Sequence, residues 1–482
     1  MRDCELFIGG EWVPGESGRT FDSINPATGE PIARLQEGSP SDVDRAVAAA
    51  GAAARDYGRM PVFERAALCE AVADVLERRA SEVASVLSAE QGKPLLAEAP
   101  GEIATAVAGF RGAAAHITHL EGATMPAADP AKRVLTFRQP RGVYAVVTPW
   151  NFPINIPTEY LAPALATGNT VVWVPAPTTS LCAVVLAEIF AEAGVPPGVV
   201  NLVTGPGSVV GDAAVAHPGT QAVGFTGSTA TGHTIAARAA GKPLLLELGG
   251  NGPTIVFADA DLPTAARAIA RGAFFNAGQV CAASEVVFAE RSIQPELARL
   301  LVAEAEAVRL GLPDHRDTTM GPLNNPGVAA KMDRHLADAT KRRARVLAGG
   351  GRAPGFATDL FYQPTVLADV PPDAVLVEEE SFGPLAPIVP FDSEDEVLRL
   401  ADAPQFGLVS SVWTASAGRA FRAAETLRTG IVNVNESTSY WEIHIPFGGG
   451  SGTGSGVGRL GGMHTLREMT DLKTITLDIT RF

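Results

Sequence analysis

Apolar positions change their spacing along the chain, and each change predicts a different kind of element. Residues 6–36 alternate in short runs broken by turn residues, and Phe7-Ile8-Gly9-Gly10-Glu11-Trp12-Val13 carries a hairpin signal. Ser41-Asp42-Val43-Asp44 caps an alanine-rich helix running to about Tyr57, and helical spacing predicts two more helices near 61–90 and 95–120. Residues 132–139 alternate as a strand that could project from the body as an arm. After Gly142 strands and helices take turns. Strands are expected at 143–148, 170–174, 200–203, 222–225 and 244–247, with helices at 154–166, 179–193, 209–216 and 228–240. That rhythm implies a parallel, doubly wound sheet with ligand sites at the carboxyl ends of its strands. A second α/β series spans 254–435, with a strand at 254–257, a helix at about 261–277, and strands near 365–367, 385–391, 408–413 and 430–434. A glycine-rich stretch, 447–462, leads to an alternating strand at 473–479.

Composition narrows the function classes. At 482 residues the chain suggests two or three domains, and 46% hydrophobic with 19% charged residues is ordinary for a globular protein. A net charge of -15 argues against a nucleic-acid surface or an anionic membrane as partner. The long uncharged stretch 160–187 is broken by Pro163, Gly168, Asn169, Pro175 and Pro177 into helix, turn and strand, which argues against a membrane span. Cys4, Cys69, Cys182 and Cys281 are widely spaced, with no Cys-x-x-Cys and no histidine cluster. The expectation is a cytoplasmic protein without disulfides and with no metal site.

Candidate chemistry concentrates between Leu246 and Cys281. Glu247 ends an apolar strand that runs into Gly249-Gly250, and Cys281 follows a Gly-Gln turn where a helix has ended. The two could meet as base and thiol nucleophile, although a buried structural cysteine and a surface glutamate read as well from these residues alone. Phe225-Thr226-Gly227-Ser228-Thr229-Ala230-Thr231-Gly232 is a strand, a glycine turn and a helix start, suited to a pyrophosphate or equally to a plain N-cap. Gly205-Pro206-Gly207 lacks the dinucleotide spacing and reads as an ordinary turn. Asn151, in Thr148-Pro149-Trp150-Asn151-Phe152-Pro153, could donate to an oxyanion or simply form the turn.

Taken together these stretches resemble the aldehyde dehydrogenase superfamily, of the NAD(P)-dependent, non-acylating type, from about Phe7 to Leu477. Glu379-Glu380-Ser381-Phe382-Gly383-Pro384 and Pro446-Phe447-Gly448-Gly449 join the motifs above, in the family's order. The resemblance implies an α/β fold with a Rossmann-type cofactor domain (1–131 and 140–246), an α/β catalytic domain (247–446), and a small β oligomerisation arm with the C-terminal tail (132–139 and 447–482). It implies Cys281 as nucleophile, Asn151 with the Cys281 backbone N–H as oxyanion site, and Glu247 as the base that activates water. Trp150, Gly227, Ser228, Gly232, Glu380 and Phe382 would serve NAD or NADP, and a homodimer or homotetramer is expected, since an exposed strand edge invites pairing.

The chain also departs from the family. Val174 and Pro177 stand where many relatives place a lysine and a glutamate on the adenosine ribose, so the usual argument for NAD against NADP is lost. Thr178, Thr179 and Ser180 could substitute as donors or cap a helix. Glu159 and Tyr160 stand where relatives carry an aromatic or arginine, then a lysine, and Glu159 argues against succinate semialdehyde as substrate. Ser451 replaces a lysine, and about two extra residues precede Gly458-Arg459. Tyr440 and Trp441 could grip a ring or long chain, or pack their own loop. The reading is oxidation of a neutral, aromatic or extended aldehyde; a CoA-acylating semialdehyde dehydrogenase and a catalytically silent binding protein are the alternatives.

Overall fold

The structure is a computed structural model that describes residues 1–481. Its frame is two sheets. The first has eight strands, and its centre is parallel: β1 (Val143–Thr148), β2 (Thr170–Pro175), β3 (Ala222–Thr226) and β4 (Leu244–Glu247), with Val200–Leu202 beyond β2. The second has seven strands and contains β5 (Pro253–Val256) and β6 (Val286–Glu290), flanked by Leu385–Phe391 on one side and Val409–Trp413 on the other. β2 and β5 are buried at every position. That is why they read as continuous apolar runs: helices cover both faces of a parallel sheet.

Four helices matter for the site. α1 (Ala99–Ile117) packs along α2 (Asn155–Thr167); α3 (Thr229–Arg238) follows β3; α4 (Leu262–Phe274) follows β5. Larger apolar clusters fill the two faces of each sheet, and a small one, around Val280, Ala282, Leu408 and Phe447, gathers beside Cys281.

Several expectations need correction. The first long helix is capped by Ser39, not Ser41; Pro40 takes the first helical position, where its missing N–H is harmless, and Ser39 and Asp42 form a capping box. The span 61–90 is two helices, Val62–Arg78 and Ala80–Gln91, bent at Arg79. Pro163 does not break α2; Gly168, at φ 87°, ends it. α4 stops at Phe274, because Asn276 and Ala277 adopt left-handed φ of 51° and 53°. The strand Val286–Glu290 and the helices Gln294–Ala307 and Pro326–Lys341 fill the part of the second series between the helix expected at 261–277 and the strand expected at 365–367, where no element had been placed.

The arm is a three-stranded antiparallel sheet in which Lys132–Pro140 pairs over its whole length with Thr470–Asp478. The glycine-rich stretch does not belong to it. Gly456–Val457 joins the first sheet antiparallel to β4, and helix Gly462–Glu468 packs on α1. No helix is long and apolar enough to cross a membrane among the described residues.

Candidate active site

The site forms where the carboxyl ends of β3 and β4 meet the loops that lead into strands of the second sheet, with Cys281 ahead of β6 and Leu408 ahead of Val409–Trp413. A cavity of about 400 Å³ is walled by Glu247 from β4, Cys281 from the loop after α4, Thr226 from β3, Glu159 from α2, and Phe152, Phe275, Trp441 and Phe447. The expected nucleophile and base therefore share one space. Cys281 is half-buried and free. Its loop is held by Gly278 at φ 72°, where a Cβ would lie 2.2 Å from the Gly383 carbonyl oxygen, so only glycine fits. Burial, then the Glu380, Glu247 and Glu159 carboxylates, push the Cys281 thiol up; its own backbone N–H opposes them.

Glu247 is 3% exposed, and neither carboxylate oxygen has a hydrogen-bond partner. Burial and the nearby Glu159 raise it well above the carboxylate range, against a smaller opposing pull from Arg459. Gly448 leaves room for it: a Cβ there would sit 2.8 Å from Oε1. Asn151 is buried in the turn after β1, and its Nδ2 donates to the Gln279 carbonyl at 3.0 Å, which ties it to the Cys281 loop. An amide nitrogen has two hydrogens, so one N–H remains for a ligand.

Of the expected substrate residues, Glu159 and Trp441 line the cavity. Asn155 Nδ2 donates to Glu159, and burial raises Glu159 to about 8. Trp441 packs its own loop, as one expectation had it: its Nε1 donates to the Ile445 carbonyl at 2.9 Å and its ring packs edge-on to Phe447. Tyr160 is corrected. It is fully buried under β3, its hydroxyl donating to the Phe225 carbonyl and paired with Thr226, so it has no face to offer a substrate. Tyr440 points away as well; it is 48% exposed and its hydroxyl donates to Glu442.

A second cleft, of about 530 Å³, opens between α3 and the turn that begins at Gly207, and Gly207, Ser208, Gly211, Thr231 and Thr234 line it. The Gly205-Pro206-Gly207 turn, set aside in the sequence, thus supplies a wall. Ser228 is exposed as the N-cap of α3 and accepts the Thr231 N–H, with Gly227 beside it. Gly232 is corrected: it is buried, and a Cβ would lie 2.4 Å from Leu248, so its smallness serves packing and not a ligand. Trp150 and Phe382 pack edge-on with centroids 5.4 Å apart, and Glu380 accepts the Gly250 N–H at 3.1 Å. Val174 is fully buried and Pro177 opens a short turn. Ser180 is spent on the Ala176 carbonyl, and no side chain of this turn caps the helix that follows.

The Aldehyde dehydrogenase family model matches residues 12–475. The chain belongs to that family. It is 38% identical over 476 residues to a 3-sulfolactaldehyde dehydrogenase of Pseudomonas putida, covering 98% of this chain and 96% of that one. Among solved structures, an NADP-dependent enzyme of E. coli superposes with a TM-score of 0.96 at 35% identity, covering 99% of this chain and 98% of that one. An aldehyde dehydrogenase of Bacillus cereus in complex with NAD+ gives 0.95 at 36%, covering 99% and 97%. This protein is therefore an NAD(P)-dependent aldehyde dehydrogenase.

Several buried groups of this aldehyde dehydrogenase were not singled out in its sequence. Glu285 accepts the Ser381 and Phe382 N–H groups at 2.6 and 2.7 Å and so holds the loop that carries Glu380. Glu102 and Lys93 form an ion pair whose side chains are 1% and 0% exposed. Glu98 accepts the Asn276 N–H at 3.0 Å. Buried charges need partners; Lys93 and Glu102 are nine residues apart, but the other groups these side chains hold come from segments more than fifty residues away, so no local spacing announces them.

Proposed function

We propose that this enzyme oxidises its aldehyde through a covalent thioester on Cys281, which Glu247 hydrolyses. One observation carries this: Cys281 shares its cavity with a buried carboxylate whose two oxygens have no protein partner. Such a carboxylate is placed to bind and deprotonate water. The Cys281 thiolate adds to the carbonyl carbon, and the resulting alkoxide takes hydrogen bonds from the free Asn151 N–H and the Cys281 backbone N–H. A nicotinamide held beside Cys281 would supply the hydride acceptor, and loss of the hydride from the carbon on Cys281 leaves the thioester. Glu247 then takes a proton from water as its oxygen attacks the acyl carbon; the C–S bond breaks, and the carboxylic acid leaves.

The second cleft, the exposed N-terminus of α3 and the Trp150–Phe382 pair fit a dinucleotide, with Ser228 and Gly227 at the pyrophosphate and Glu380 at the nicotinamide ribose. Residues 1–131 and 140–246 would form the cofactor domain and 247–446 the catalytic domain. The arm's exposed Leu135, Phe137 and Ile475 support a homodimer or homotetramer. Glu159 and the four aromatic rings in the cavity wall favour a neutral, aromatic or extended aldehyde over one ending in a carboxylate. They also weigh against carrying over the anionic substrate in the Pseudomonas putida relative's name, although Arg271 on the wall makes anionic aldehydes a necessary comparison.

The deciding assay follows reduction of NAD and of NADP across neutral, aromatic, cationic and anionic aldehydes, with acid-quenched mass spectrometry of the Cys281 peptide. An acyl adduct on Cys281 and turnover without CoA are expected. Product that forms only as acyl-CoA, or turnover with no adduct, would overturn the reading.

A further inference from the structure

The Asn151 amide sits in an irregular turn between β1 and α2, so something other than a sheet ladder must aim it. That turn is gripped from both sides. The Lys93 ammonium is fully buried, pairs with the Glu102 carboxylate, donates to the Asn151 carbonyl at 2.8 Å, and lies over the Phe152 ring 3.5 Å from its centroid. The other Glu102 oxygen accepts the Ile154 and Asn155 N–H groups, at 2.9 and 3.1 Å, where α2 begins. Asn276 completes the frame, its Nδ2 donating to the carbonyls of both Asn151 and Gln279. The Gln279 carbonyl is also the acceptor of the Asn151 amide.

A buried ion pair is costly to desolvate, and two apolar side chains of similar size would fill the space without that cost. Its hydrogen bonds do what apolar groups cannot. The turn that carries Asn151 is fixed through its backbone carbonyl, and the Cys281 loop is fixed to the same frame. We propose that Lys93, held by Glu102, is a positioning residue for the oxyanion: it fixes the Asn151 carbonyl and so aims the free Asn151 N–H at the alkoxide formed on Cys281. This rests on the thioester reading above, in which Asn151 stabilises that alkoxide.

The test uses the full-length enzyme with Lys93→Met, and with Lys93→Met/Glu102→Gln, which leaves no unpaired buried charge should the single variant fail to fold. Three quantities are read: the pre-steady-state burst of reduced nicotinamide, cofactor Kd by fluorescence titration, and the rate of Cys281 alkylation by iodoacetamide. Alkylation displaces iodide and forms no oxyanion, so it reports the thiol and its loop alone. The burst is expected to slow by about tenfold or more in both variants, while cofactor Kd and alkylation stay within about twofold of wild type. A burst at the wild-type rate in a folded variant overturns the proposal, and so does alkylation that slows in step with the burst. Asn151→Ala separates the two readings. If it slows the burst and the Lys93 variants do not, only the positioning role falls; if it leaves the burst unchanged, the oxyanion site itself is misassigned.

Discussion

Cys281 sits in surroundings that work against its thiolate: burial and three carboxylates all raise it. Alkylation by iodoacetamide without cofactor should therefore climb by about tenfold per pH unit from 7 to 9, with no plateau near neutrality. A plateau below pH 8 would show a thiolate stabilised by a group outside this account. Cys281→Ser should abolish oxidation and leave cofactor affinity unchanged. Glu247 must be ionised to act as a base, while its surroundings hold the proton on. Steady-state turnover should rise with pH through the neutral range, and Glu247→Gln should slow thioester hydrolysis by about a hundredfold or more while sparing the burst. A pH-independent rate between 6 and 9 would count against that role. Glu159 supplies a stability test. Its folded value of about 8 lies above the ordinary 4.5, so the fold holds its proton more tightly than the unfolded chain does. Stability from that proton is full below about 4.5 and is lost as pH rises through about 8. Glu159→Gln should raise Tm at pH 9 and leave it unchanged at pH 4.

The loop 379–384 shows how an element can depend on one distant carboxylate. Phe382 is held at a left-handed φ of 58°, and Glu285, in the loop just before β6, takes the N–H groups of Ser381 and Phe382. Each Glu285 oxygen takes one N–H, so Glu285→Gln keeps one acceptor and sets an amide NH2 against the other backbone N–H, a loss of about 1.5 kcal/mol or more. The cofactor KM should rise about tenfold with little change in the hydride burst at saturation. Equal KM values would detach the loop from cofactor binding. The parallel strands of the first sheet were legible in the sequence, because buried parallel strands are continuous apolar runs between turn residues. The end of α4 was not. Asn276 and Ala277 are compatible with a helix by composition, and their left-handed turn is held by hydrogen bonds that Asn276 donates to the Glu98 carboxylate and to the Asn151 and Gln279 carbonyls, acceptors that lie far off in the chain or across the loop.

Across the whole molecule, the arm leaves one face of its sheet uncovered. Leu135, Phe137 and Ile475 are each more than a third exposed, and Leu135 lies directly opposite Ile475. Phe137→Glu/Ile475→Lys should shift the protein to a smaller species by light scattering; an unchanged mass would place the subunit contact elsewhere. The amino-acid order by itself determined the two α/β series and the family, and through the family resemblance it singled out Cys281, Glu247 and Asn151 as candidates, because the motifs that carry the resemblance are contiguous stretches. Only the tertiary structure decided that Tyr160 is core and Glu159 is wall, although they are neighbours on one helix, since burial depends on what packs against each. It likewise decided that the glycine-rich stretch closes the first sheet, and that Lys93, Glu102, Glu98 and Glu285 are charges inside the protein. Lys93 and Glu102 are nine residues apart, but the groups they hold, the Asn151 carbonyl and the Ile154 and Asn155 N–H groups, lie more than fifty residues on, and the use of the pair exists only once those segments have met.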